Sequence, residues 1–136
     1  KNSFTFEEFI EKQFQKGNIQ SNQFTADSKD VKLHGHCHQK ALSTTASGFN
    51  MLNIPENYDV KILNTGCCGM AGSFGYEKEH YKISMQVGED TLFPKLRKLN
   101  TDTLIAAAGT SCRHQIKDGV NKEAQHPISI LRKALV

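Results

Sequence analysis

Three short apolar runs, each followed by a segment of helical character, constrain the fold of this chain more than any other feature. The runs predict strands at 31–33, 60–63 and 103–108. The predicted helices cover residues 5–16, 40–52, 76–87, 89–99, 111–117 and 127–135. Strands that alternate with helices form right-handed crossovers and a parallel sheet. We therefore predict an α/β three-layer domain with a small, mostly parallel sheet and helices on both faces.

The chain has 136 residues, which suits one domain with a single core. Thr5 and Glu8 have the spacing of a capping box, which opens the first helix. A polar connector follows at 18–30. We therefore divide the chain into an N-terminal helix and connector, 1–30, and a cysteine-rich domain, 31–136. The first residue is not methionine, which fits a fragment of a longer polypeptide.

Charge and hydropathy exclude several function classes. The formal charge of +3 is spread along the chain, so no basic stripe typical of a nucleic-acid binder is present. No apolar run is long enough for a membrane span, and the N-terminus lacks the apolar region of a secretory signal. Two of the cysteines are adjacent, which disfavours a disulfide framework. We expect reduced thiols and a cytoplasmic location.

The cysteines are the candidate functional residues. Cys37 follows the first predicted strand, Cys67 and Cys68 follow the second, and Cys112 follows the third. The carboxyl ends of parallel strands meet at one edge of the sheet, and ligands bind in the crevice outside that edge. The alternative is that each cysteine is a small buried apolar residue. We favour a shared site, because scattered core thiols would not all lie just beyond strand ends.

Thiolate ligands select iron–sulfur clusters or zinc. Structural zinc sites usually contain short Cys-x-x-Cys spacings, whereas these cysteines are far apart or adjacent, so the spacing favours iron–sulfur and leaves zinc as the alternative. A thiolate–imidazolium nucleophile, with Cys37 beside His38 or Cys112 beside His114, is a further possibility. A nucleophile of this kind does not explain why Cys67 and Cys68 are adjacent.

A glycine-rich loop and three histidines surround the cysteines. Gly66, Gly69 and Gly72 recur at every third position, which lets the backbone approach a bulky ligand and donate N–H groups to sulfur. A phosphate cradle is the alternative, but the loop lacks the nucleotide-binding patterns. His34, His36 and His38 alternate around Cys37 and are candidates for metal ligands, hydrogen-bond donors or proton carriers.

Three segments resemble the cysteine-rich CCG domain: His36-Cys37-His38, Gly66-Cys67-Cys68-Gly69-Met70-Ala71-Gly72, and Gly109-Thr110-Ser111-Cys112-Arg113-His114-Gln115. The likeness extends over about 31–135. Such domains occur in heterodisulfide reductase, in the glycolate oxidase iron–sulfur subunit and at the C-terminus of FAD-linked D-2-hydroxy-acid dehydrogenases. The family pattern ends in Cys-x-x-Cys, whereas Gln115 occupies the fifth cysteine position here.

The resemblance implies a single [4Fe-4S] cluster on Cys37, Cys67, Cys68 and Cys112, with zinc as the alternative metal. It implies FAD in a separate flavin domain, electron transfer to a quinone or another acceptor, and peripheral membrane association of the full-length enzyme. Substrate oxidation would occur elsewhere, so no catalytic residue is assigned to this chain. Residues expected to shape or tune the cofactor site are Gly66, Gly69, Gly72, His36, His38 and Arg113. The rival hypothesis is a zinc-binding or metal-free α/β module for subunit assembly.

Overall fold

The computed structural model describes residues 3–42 and 44–136 and contains a four-stranded parallel sheet. The strands are β1 (Lys29–His34), β2 (Tyr58–Ile62), β3 (Leu104–Ala107) and β4 (Ala124–Gln125). Their order across the sheet is β2-β1-β3-β4, and every pair is parallel. The helices are α1 (Phe6–Gln15), α2 (Cys37–Leu42), α3 (Ala46–Leu52), α4 (Tyr81–Arg97), α5 (Thr110–Val120) and α6 (Pro127–Lys133). None of the described helices is both long and apolar enough to cross a bilayer.

Side chains alternate between the two faces of the sheet and so create two cores. Val31 and Leu33 of β1 point to the face covered by α3 and α6. Ile105 and Ala107 of β3 point to the opposite face, which α4 and α5 cover. The three-layer α/β prediction is therefore confirmed.

The described part of the first thirty residues, 3–30, packs against the rest of the chain. Thr5 and Glu8 form the predicted capping box, with the Thr5 N–H donating to Glu8 Oε2 at 2.8 Å. Phe24 is buried in the core, and the Thr25 N–H donates to the carbonyl of Ala134 at 2.7 Å. Residues 1–2 lie outside the described part, and the division at residue 30 stays a prediction.

Three differences between the structure and the predicted elements change the number of helices or strands. The predicted helix 40–52 is two helices, α2 and α3, and residue 43 between them lies outside the described residues. The predicted helices 76–87 and 89–99 merge into one helix, α4, which starts only at Tyr81 and runs through Gly88, where the Phe93 ring packs against the glycine. The position of the fourth strand was not predicted, since two residues are too few to show an alternating pattern.

Candidate metal centre at the carboxyl edge of the sheet

Three adjacent strands bring the four cysteines to one edge of the sheet. Cys37 is the first residue of α2 after β1, and Cys112 lies in the first turn of α5 after β3. Cys67 and Cys68 lie in the loop after β2. Because β1 is flanked by β2 and β3, these connections are neighbours in space. All four cysteines are free thiols.

The inner pair of thiols is Cys68 and Cys112, both buried in the core beneath α4 and α5. A hydrogen bond with Cys112 lowers the pKa of the Cys68 thiol, against the effect of burial, and the His34 ring and the Met70 N–H lower it further. The same bond, burial and the charges of the other cysteines raise the pKa of Cys112. Of the two inner thiols, Cys68 therefore loses its proton more readily than Cys112.

The outer pair is Cys37, which is exposed, and Cys67, which is half-buried. Burial raises the pKa of the Cys67 thiol, and the adjacent Cys37 raises it further. The Gly69 N–H opposes this shift by donating to Cys67 Sγ at 3.3 Å. The pair thus connects the buried thiols to solvent, and the glycine loop supplies a backbone donor to sulfur, as its sequence suggested.

The glycine loop has an unusual backbone fixed by contacts with α4. Gly69 and Gly72 have φ values of +94° and +69°, a region that glycine enters without a steric penalty. A Cβ at Gly69 would collide with the carbonyl oxygen of Ser84. At the start of the loop, the Gly66 N–H donates to Thr91 Oγ1 at 2.7 Å. The loop is therefore shaped before any ligand binds.

His34, one of the three candidate histidines, lies beside the cysteine loop together with Thr65, which was not predicted from the sequence. The His34 side chain is buried, with none of its surface exposed, and its Nδ1 lies 2.9 Å from Thr65 Oγ1. Its Nε2 is buried with no hydrogen-bond partner.

His36 and His38 lie in a different environment. β1 ends at His34, so the three histidines do not share one strand face. The His36 ring lies against Gly109, and both His36 and His38 line a neighbouring cavity of about 360 Å³. The other residues around this cavity are Thr5, Glu7, Gln39, Ala108, Gly109 and His126. A direct role for either histidine at the cysteines stays a prediction.

Arg113 forms hydrogen bonds at the start of α5. Its guanidinium donates to the carbonyls of Ala107 and Ala108 at 2.9 and 2.7 Å, and to Thr110 Oγ1 at 3.0 Å. These bonds join the end of β3 to the helix that carries Cys112. Arg113 therefore holds the Cys112 segment in place, and its predicted influence on cofactor charge is untested.

The side chains and backbone groups at this edge suit a cofactor that is bound by several thiolates. Four free thiols meet beside a backbone N–H donor and a buried imidazole nitrogen with no partner. No three His, Cys, Asp or Glu side chains in the described part of the chain are arranged to hold a single metal ion. The thiols instead lie as two pairs, Cys37 with Cys67 and Cys68 with Cys112. The structure thus defines an α/β domain with four free cysteines at the carboxyl edge of its sheet.

Comparisons with known proteins find similarity to parts of dehydrogenases. The chain is 32% identical over 105 residues to one subunit of the anaerobic glycerol-3-phosphate dehydrogenase of Escherichia coli (strain K12), a match that covers 77% of this chain and 26% of that relative. It is 32% identical over 108 residues to D-2-hydroxyglutarate dehydrogenase of the same strain, covering 79% of this chain and 10% of that protein. The enzyme of that name from Pantoea ananatis is 31% identical over 100 residues, which cover 73% of this chain and 10% of that enzyme. No protein-family model and no solved structure matches the chain.

Proposed function

We propose that Cys37, Cys67, Cys68 and Cys112 hold a [4Fe-4S] cluster and that this chain is the electron-transfer part of a flavin-linked dehydrogenase. The observation that carries the proposal is the meeting of four free thiols from three consecutive strand–helix connections. Thiolates are the ligands of iron–sulfur clusters. When bound, such a cluster accepts and releases single electrons.

The contribution of each cysteine follows from its burial. Cys68 and Cys112 lie within the apolar core, with 3% and 0% of their surface exposed, and would anchor the inner side of the cofactor. Cys37 is exposed and would hold the side that faces solvent, where an electron can enter or leave. The Gly69 N–H, which already donates to sulfur, would stabilise negative charge on the cofactor.

The similarity to pieces of dehydrogenases supports a place within a larger oxidoreductase, since the chain spans only 26% and 10% of those relatives. We infer that a flavin domain, in the same polypeptide or the same complex, oxidises a 2-hydroxy acid or a related alcohol. Electrons then pass through the cysteine centre to a quinone or another acceptor. The substrate-oxidising site lies outside this chain.

Anaerobic reconstitution with iron and sulfide tests the cluster directly. We expect about four irons per chain and a broad visible absorption band that dithionite bleaches. Serine at each cysteine in turn should abolish or strongly perturb the band. Ser73→Ala, an exposed change in the same loop, is the matched control and should bind iron like the unmodified chain.

Metal analysis of the anaerobically purified protein separates the rival function. One equivalent of zinc with no iron, or a folded protein indifferent to both metals, would reject the electron-transfer proposal and favour an assembly module. Iron binding that survives serine at all four cysteines would also reject it.

A further inference from the structure

A cavity of about 670 Å³ lies at the edge of the sheet, where residues of α5, β4 and α6 surround it. Clefts of about 300–1,000 Å³ typically bind organic ligands, so this cavity is larger than a single ion requires. It is separate from the four thiols, none of which lines it. The charged and polar side chains around it are Arg113, Gln125, His126, Ser129, Arg132 and Lys133.

The lining of this cavity is positively charged. It contains three side chains that are cationic at neutral pH, Arg113, Arg132 and Lys133, and no aspartate or glutamate among the described residues. None of the ion pairs formed by the described residues includes these three cations, whereas Lys61 and Arg97 each have a carboxylate partner. Cations around one cleft repel each other and attract an anion, because the cleft concentrates their field.

The guanidinium of Arg113 is fixed before any ligand arrives. It is half-buried, and Nη1 donates to the carbonyls of Ala107 and Ala108 while Nη2 donates to Thr110 Oγ1. A guanidinium has five N–H donors, so one on Nε and one on Nη2 remain without an acceptor among the described residues. A guanidinium that offers two N–H groups can bind a carboxylate or a phosphate through two hydrogen bonds. Because the group is already held in place, less entropy is lost on binding.

Helix α6 contributes the other cations. Lys133 Nζ donates to Gln125 Oε1 at 2.6 Å, which fixes the ammonium beside β4 and leaves two of its three donors. Ser129 and Arg132 are three residues apart on α6 and therefore lie on one face of the helix. The cavity thus has one fixed cation on α5 and two cations with a hydroxyl on α6.

We propose that this cavity binds a small organic anion that carries two or more phosphate or carboxylate groups. One oxyanion accepts from the remaining N–H groups of Arg113, and a second lies against Arg132 and Lys133. An anion of at least two charges is needed to balance three cations that have no carboxylate partner. The site is built from this chain's own side chains and does not rest on the proposed cluster.

Isothermal titration calorimetry of the reduced chain with inorganic pyrophosphate tests the site at low ionic strength. We expect saturable binding to a single class of site. The affinity should fall by about tenfold or more in Arg132→Gln and in Lys133→Gln, since each change removes one charged contact. Lys61→Gln is the matched control: it removes the same charge from an exposed position on β2 and should change the affinity by less than about twofold. An absence of binding, or equal losses in the three variants, would overturn the proposal.

The side-chain signal of Arg113 locates the bound anion. Arg113 also holds the Cys112 segment, so its substitution would mix binding with folding, and the unmodified Arg113 is observed instead. In ¹H–¹⁵N spectra its Nε–H signal should shift when pyrophosphate is added. At the same pyrophosphate concentration the shift should be smaller in Arg132→Gln. If other arginine signals moved and that of Arg113 did not, the cavity would be rejected as the site.

A peptide of six glutamates distinguishes a small anion from the acidic side chains of a partner protein. The peptide should bind more weakly than pyrophosphate, because ordering its backbone costs entropy that a small rigid anion does not lose. Tighter binding of the peptide than of pyrophosphate, weakened in Arg132→Gln, would assign the cavity to an acidic segment of a partner and overturn the small-ligand proposal.

Discussion

The side-chain amide of Gln115 donates to the hydroxyl of Ser84 at 2.9 Å and to the Ser84 carbonyl at 3.1 Å. Both residues are buried, at 1% and 0% exposure, so this pair joins α5 to α4 behind the cysteine loop. Gln115 occupies the position at which the CCG pattern has its fifth cysteine. The Gln115 amide therefore links the two helices by hydrogen bonds.

Removing the Gln115 amide should destabilise the fold. Gln115→Ala leaves the buried Ser84 hydroxyl and carbonyl without that donor, and we expect a loss of about 1–3 kcal/mol in the free energy of unfolding. Urea denaturation of the reduced chain measures it. Gln86→Ala, an exposed change on α4, should stay within about 0.5 kcal/mol. Equal effects of the two changes would contradict the structural role of Gln115.

Alanine should be tolerated differently at two glycines of the cysteine loop. Gly72 has a positive φ and open space around its Cα, so Gly72→Ala should cost only the backbone strain, about 1–2 kcal/mol. Gly69→Ala adds a collision with the Ser84 carbonyl and displaces the N–H that bonds Cys67. We expect a larger fall in melting temperature and weaker iron binding for Gly69→Ala. If the melting temperature fell by the same amount in both variants, the collision at residue 69 would have to be relieved by a small movement of the backbone.

His126 caps the last helix and gives stability a dependence on pH. Its Nδ1 accepts from the Ile128 N–H at 3.2 Å, so the ring must be neutral at that nitrogen. Burial lowers the pKa of His126, and Arg113 lowers it further, while Glu7 on α1 acts in the opposite direction. The folded state therefore binds a proton at His126 less readily than the unfolded chain.

Stability from His126 should be complete above the unfolded pKa, near 6.5, and should decrease as the pH falls below it. The urea concentration at the unfolding midpoint should be measured from pH 8 to pH 5. As the pH falls, this midpoint should decrease less in His126→Asn than in the unmodified chain. Asparagine keeps a capping oxygen and cannot titrate, so this variant retains α6. His126→Ala should be less stable at every pH, by about 1 kcal/mol. If the unfolding midpoint of His126→Asn decreased with pH as steeply as that of the unmodified chain, the pH dependence would come from other groups.

Aromatic residues of α1 should contribute less to stability than their hydrophobicity suggests. Phe6 and Phe9 are each 48% exposed, whereas Ile10 packs against the core. We expect Phe9→Ala to change the free energy of unfolding by less than about 1 kcal/mol and Ile10→Ala to cost more. Thermal unfolding of both variants measures the difference. A larger loss of stability in Phe9→Ala than in Ile10→Ala would show that α1 contacts the core through its phenylalanines.

The features that the sequence predicted correctly depend on residues close together in the chain. Thr5 and Glu8 form their capping box across one helical turn, and the apolar runs around Val31, Val60 and Ile105 form strands because they bury β-branched residues. The placement of the cysteines after those strands could be anticipated because a parallel sheet collects its carboxyl ends at one edge.

Contacts between distant segments decided the rest. The sequence shows a histidine before Cys37, but only the register of β1 with β3 pairs His34 with Ala107, and only the fold brings its ring to Thr65. Likewise, the Phe93 ring of α4 lies against Gly119 of α5 as well as against Gly88, so a contact with a distant helix accompanies the continuation of α4 through Gly88. Helix caps and strand propensities act over a few residues, whereas the environment of a buried polar group is set by whichever segments fold against it. The sequence therefore determined which residues reach the carboxyl edge, and the tertiary structure determined which of them face the sulfurs.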